Sequence, residues 1–91
     1  MTYMLTRIDV EDFDAWKSTF DSDPFGARKE AKGHRILRGV EDPNEVFIQV
    51  EFDSPDDARA ARQRLLDGGM LDRVAVKNGP TIAEPADAVT Y

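Results

Sequence analysis

The hydrophobic period of this chain switches between two residues and roughly 3.6 in one fixed order, and few small folds accept that order. From Tyr3 to Val10 the residues alternate: Met4, Thr6, Ile8 and Val10 take one side, Tyr3, Leu5, Arg7 and Asp9 the other. That stretch reads as a strand. The period then changes. Phe13, Trp16 and Phe20 fall on one helical face, behind an Asp12 N-cap with Glu11 and Asp14 at the positive end of the helix dipole. Pro24 interrupts this helix, and Asp23-Pro24 predicts a second short one running to about Lys32, with Gly33 as its stop.

Period two returns in His34 to Glu41 and Glu45 to Asp53, joined by the turn residues Asp42-Pro43-Asn44-Glu45. If Asp42 pairs with Glu45, Arg38 lies opposite Gln49 and Ile36 opposite Glu51. His34, Ile36, Arg38 and Val40 then share a face with Phe47, Gln49 and Glu51. A slip of one residue would put Arg35 and Leu37 there instead. Ser54-Pro55-Asp56-Asp57 starts another helix, with Ala58, Ala61 and Leu65 as its buried stripe and Gly68-Gly69 as its end. Met70 to Val76 reads as a short helix or turn. Thr81 to Glu84, after Gly79-Pro80, reads as a short fourth strand. The order β-α-β-β-α-β is the split-βαβ plan of an α+β, ferredoxin-like sandwich with an antiparallel sheet. Residues 1–91 form a single domain in this reading, with 85–91 as a C-terminal tail whose Val89-Thr90-Tyr91 can extend a partner's sheet.

Both helices of that plan cover the same sheet face. The other carries Tyr3, Leu5, Phe47, Ile36 and Val40 among Arg7, Arg38, Gln49 and Glu51, more apolar surface than scattered exposure explains. A chain of 91 residues has a thin core, and without cysteine no disulfide reinforces it. Pairing of two bare faces in a homodimer is the expected remedy. A net charge of −6, with the arginines interspersed among carboxylates, argues against nucleic acid as a partner. No apolar run reaches the ~18–20 residues that cross a membrane, and no secretory pattern opens the chain, so a cytoplasmic location is expected.

Glu51 is the first candidate base, Arg38 the candidate holder of an anionic or phenolate oxygen, and Gln49 and Phe47 the neighbours that would bind a substrate. A cross-strand ion pair at a dimer seam, worth about 0.2–1 kcal/mol, accounts for the polar members without any function. His34, the only histidine, is the second candidate base and a candidate haem ligand. Its place at a strand start predicts exposure. Trp16, with Phe13 and Phe20, suits a flat aromatic ligand, although such a stripe also serves simply as core. One histidine and no cysteine fall short of a zinc site, and Asp21-Ser22-Asp23 lacks the glycine and distal glutamate of a calcium loop. No metal and no cofactor are expected.

Several segments together resemble the dimeric α/β-barrel superfamily that includes the antibiotic-biosynthesis monooxygenases, and within it small bacterial "cyclase" or monooxygenase-like proteins. They are Tyr3-Met4-Leu5, Val10-Glu11-Asp12-Phe13-Asp14-Ala15-Trp16-Lys17, Phe20-Asp21, Leu37-Arg38-Gly39, Asp42-Pro43-Asn44-Glu45-Val46, Glu51-Phe52-Asp53 and Gly79-Pro80-Thr81-Ile82. The chain departs from the subgroup at Val74-Ala75-Val76-Lys77-Asn78 and at Glu84-Pro85. The resemblance implies a dimer whose sheets face each other around a shared barrel. It also implies a small-molecule ligand, with activities that range from cofactor-independent oxidation or cyclisation of aromatic, polyketide-like substrates to haem degradation. A non-catalytic ligand- or protein-binding module is compatible with the same residues.

Overall fold

The computed structural model of the chain describes residues 1–23, 26–69, 72 and 74–91. Its elements are β1 (Thr2–Asp9), α1 (Phe13–Ser22), β2 (Gly33–Arg38), β3 (Glu45–Phe52), α2 (Pro55–Asp67) and β4 (Ala75–Ala83). The strands form one antiparallel sheet in the order β2-β3-β1-β4. This is the expected ferredoxin-like plan. Thr2, Met4, Thr6 and Ile8 of β1 and Val46, Val50 and Phe52 of β3 are buried under the helices. Full burial of each large apolar side chain contributes about 1.5–3 kcal/mol.

Both helix starts follow from their caps. Asp12 Oδ1 accepts from the N–H of Asp14 at 3.0 Å and of Ala15 at 3.3 Å. Ser54 Oγ accepts from the Asp57 N–H at 3.2 Å, with Pro55 in the first helical position. The helix expected after Pro24 begins on residues that lie outside the described ones, and 27–30 form a turn. Met70, Leu71 and Arg73, within the ambiguous stretch, also lie outside them.

The hairpin between β2 and β3 departs from the expected register. The turn itself is present: the Glu45 N–H donates to the Asp42 carbonyl at 3.0 Å, and the Asn44 N–H to Asp42 Oδ1 at 3.0 Å. The strands do not continue directly from it. Arg38 lies opposite Val46, Ile36 opposite Ile48 and Leu37 opposite Phe47. Gly39 still donates its N–H to the Glu45 carbonyl at 2.8 Å, and the chain then loops out through Val40 and Glu41 before the turn. The chain bends at Gly39, where an added Cβ would collide with the Asp42 carbonyl. Arg38 Nε braces the loop by donating to the Pro43 carbonyl at 2.9 Å. The shift is three residues, an odd number, so every side chain of β2 changes face. Arg35 and Leu37 therefore occupy the bare face. His34, Ile36 and Arg38 turn towards α1, and Val40 leaves the sheet, 92% exposed.

Strand β4 is longer than expected. It runs through Gly79-Pro80, and its pairing with β1 shifts register beside Arg7. As an edge strand it tolerates a proline without a ladder N–H. Gly79 has φ +90 and sits so close to the Leu5 carbonyl that no Cβ fits.

Candidate functional site

The register divides the candidate residues between two sites on opposite faces of the sheet. On the bare face, Tyr3 Oη donates to Glu51 Oε1 at 3.3 Å, directly across β1 and β3. Arg7 donates to Glu45 Oε2 from Nη2 at 2.7 Å and from Nε at 3.0 Å, and lies 5.9 Å from the Phe47 ring. Between these pairs lies a shallow hollow of about 400 Å³ bounded by Leu5, Leu37, Phe47, Gln49 and Thr81. Leu5 and Leu37 are 40% and 50% exposed. Phe47, Gln49 and Glu51 thus share a face as expected, but Arg38 and His34 are not with them. The partner of Glu51 is a tyrosine hydroxyl, not a guanidinium.

Arg38 and His34 belong to a ladder beneath α1. The Arg38 guanidinium sits 4.1 Å from the Phe13 ring, and the His34 ring meets Phe20 edge-on at 5.1 Å. Between them Ile36 and Trp16 pack against the same core cluster. The two ends of the aromatic stripe of α1 (Trp16 lies 5.8 Å from Phe13 and 5.2 Å from Phe20) are therefore matched to Arg38 and His34, the ends of one face of β2. Such cation–aromatic contacts contribute about 0.5–1 kcal/mol where solvent reaches them.

The stripe leaves a gap. Among the described residues, no Cα of α1 comes within 8 Å of a Cα in any strand or in α2. A cavity of about 70 Å³ occupies the space, walled mainly by Met4, Ile8, Trp16, Phe20 and Val50. Asp23 and Arg28 form the charged part of its rim. There Asp23 caps the helix with φ 45, its N–H donating to the Phe20 carbonyl at 3.1 Å. The Asp23 carboxylate accepts the Arg28 N–H at 3.2–3.3 Å. Arg28 Nη2 donates to the Phe20 carbonyl, and the guanidinium carbon lies 3.9 Å from the Phe20 ring centroid. Outside the rim, Asp21 is held below the usual carboxylate range, chiefly by the Lys17 ammonium 2.6 Å away.

Of the two spaces, the cavity under α1 has the geometry usual for small-molecule sites. It is concave, apolar and has few convergent polar groups, whereas the larger hollow is an open sheet surface. Of the sequence candidates, Trp16 and its stripe neighbour Phe20 line it. Arg28 was not singled out from the sequence, and Asp23 was read there only as a helix start and as part of an incomplete calcium loop; no side-chain period reports where such groups converge. Among the described residues, no group of three or more His, Asp or Glu converges as a metal site, and no helix is long and apolar enough to cross a membrane.

A four-stranded antiparallel sheet in the order β2-β3-β1-β4, clad by two helices on one face, defines a ferredoxin-like fold. Solved structures place it more narrowly. A Chloroflexus aurantiacus J-10-fl protein, provisionally called an antibiotic biosynthesis monooxygenase, superposes with a TM-score of 0.66 over 99% of this chain and 98% of its own, at 14% identity. Rv0793 of Mycobacterium tuberculosis gives 0.62 over 98% of each chain, at 15% identity. This chain has the fold of the antibiotic-biosynthesis-monooxygenase-like proteins. No protein-family model and no curated protein matches its sequence.

Proposed function

We propose that the chain is a small-molecule-binding homodimer that takes an aromatic ligand in the cavity between α1 and the sheet and oxidises or cyclises it without a cofactor. The observation that carries this reading is the cavity itself: an apolar, largely walled space roofed by Trp16 and Phe20. At about 70 Å³ it is smaller than the roughly 150 Å³ that accepts a benzene ring, so binding requires α1 to move outward. No residue of α1 is buried, which makes that movement inexpensive.

Of the two candidate bases, His34 lies on the cavity's side of the sheet: it is exposed and outside the cavity's lining, and it meets the wall through the edge of the Phe20 ring, so it reaches a ligand only when α1 moves. In the enzymatic reading it takes the proton from an activated ring carbon. The carbanion then reacts with O₂, a CH₂ becoming C=O while the second oxygen leaves as water. Glu51, paired with Tyr3 Oη, and Gln49 and Phe47 belong to the seam between two copies. A flat slab with one bare face supports such a seam: the chain exposes 5933 Å², against roughly 5300 Å² for a typical monomer of its mass.

Trp16 is the sole tryptophan, so its emission reports directly on the cavity. Titration with quinol-type and polyketide-like compounds is expected to change that emission saturably, with oxygen uptake lost in His34→Ala while binding persists. Emission indifferent to every ligand would remove the reading. Binding without oxygen uptake would leave a non-catalytic module. For the seam, Leu37→Glu is expected to give monomers by light scattering and Val40→Glu to leave dimers; monomeric wild-type protein overturns it.

A further inference from the structure

The rim of the cavity carries a second piece of information, which rests on the ligand-site reading above. Arg28 is the one cationic side chain among the described residues that line the cavity. It is 17% exposed, unusually low for an arginine at the edge of a small domain. Its position is fixed by the Phe20 ring beneath it and by the Phe20 carbonyl. Only one of its five N–H donors has a hydrogen-bond partner among the described residues. Asp23 does not consume the rest. Its carboxylate is 4.0 Å from Arg28 Nε, and its oxygens accept the Arg28 backbone N–H instead.

A preorganised guanidinium whose other donors have no partner among the described residues, on a residue that lines an apolar cavity, is matched by a ligand with one anionic oxygen group and a hydrophobic body. We propose that Arg28 is the specificity-determining residue of this site and that the ligand is a small aromatic carboxylic acid, its ring against Trp16 and Phe20 and its carboxylate on Arg28. A phenol is a poorer match, because it remains un-ionised at neutral pH. Asp23 opposes the same carboxylate and so sets an upper limit on affinity.

The test compares 4-ethylbenzoate with its neutral isostere 4-ethylbenzamide by isothermal titration calorimetry on the full chain, with Trp16 emission as the check on location. The acid is expected to bind about tenfold more tightly than the amide, the worth of one charge-assisted hydrogen-bond pair. Arg28→Gln is expected to abolish that preference while the amide affinity stays within about twofold, and Arg28→Lys to retain part of it. Asp23→Asn, which keeps a residue tolerant of φ > 0, is expected to bind the acid more tightly, a gain that misfolding cannot produce. Equal affinity of wild type for acid and amide overturns this inference and leaves the cavity reading standing. Parallel loss of both ligands in Arg28→Gln, with no gain in Asp23→Asn, assigns Arg28 a structural role and also overturns it. Failure of both ligands to bind wild type, with unchanged Trp16 emission, overturns the cavity reading and this one together.

Discussion

Helices α1 and α2 cover the same sheet face by opposite means. On its packing face α2 presents Ala58 and Ala61, 0% and 1% exposed, and its Cα atoms come within 8 Å of β1, β3 and β4. Small side chains let the helix lie directly on Met4, Val50 and Phe52. On α1 the equivalent positions are Phe13, Trp16 and Phe20, all half-buried, and no residue of the helix is buried. Large rings prop that helix away from the sheet, and the cavity is the result. One helix therefore serves as a wall and the other as a roof, a distinction made by side-chain volume alone.

The largest effect that tests this contrast is Ala61→Leu. A larger side chain in a close helix–sheet contact forces the layers apart, at a cost of about 1–3 kcal/mol. Urea unfolding is expected to show the loss as a lower midpoint. The converse substitution, Trp16→Ala, is expected to cost about 1–2 kcal/mol, below the roughly 3–5 kcal/mol of a fully buried aromatic, because its ring is half-exposed beside an existing void. If Trp16→Ala proves the more destabilising of the two, α1 is as much a part of the core as α2 and the contrast fails. Amide exchange sharpens the point without mutation: α1 should open at a lower free energy than α2 and gain protection when the cavity fills.

The limits of what the sequence disclosed follow from the same physics. Element order was legible, because period and cap residues act locally: Asp12 and Ser54 cap the helices they were expected to cap. The Asp42–Glu45 turn was legible too. What the turn could not convey was how many residues separate it from β2, and Gly39, Val40 and Glu41 were enough to exchange the faces of that strand. Alternation is blind to this, since both faces of Gly33–Arg38 mix apolar and basic residues. Leu37 and Ile36 are equally apolar; only pairing with Phe47 or Ile48 distinguishes them. The candidate site suffered most, because it was assembled across that register. Arg38 and His34 went to the aromatic ladder, while Gln49 and Glu51 stayed on the bare face. Strand β4 was read too short because Gly79-Pro80 signals a break in a central strand, whereas an edge strand accommodates it.

The caps allow a finer test of roof against wall. Asp12→Ala and Ser54→Ala each remove a side-chain acceptor from the first turn, a change worth about 0.5–2 kcal/mol. In α2 the loss is coupled to the core and should appear as a full reduction in global stability. In α1 it should appear mainly as faster local exchange of the α1 amides, with a smaller change in the global midpoint. Equal global losses would show that α1 does not open independently.

The smallest expected effect lies at the far end of α1. Asp21 accepts from Lys17 one turn earlier at 2.6 Å, which lowers its pKa from an ordinary 3.8. A carboxylate whose pKa is depressed in the folded state stabilises that state while ionised. Its contribution is complete above the unfolded value and is lost as the pH falls through the lowered one. The pair is exposed, so salt should weaken it. Asp21→Asn should therefore speed exchange of the α1 amides slightly at neutral pH, and the difference from wild type should vanish on acidification below the depressed pKa. Exchange in α2 should not respond, since its sheet-side contacts are apolar. A pH-independent effect of Asp21→Asn would mean that this carboxylate acts through local backbone geometry and not through its charge. The end of α1 nearest the cavity rim would then be held by the Asp23 cap, making that cap, and not the charge on the helix surface, what governs opening of the roof.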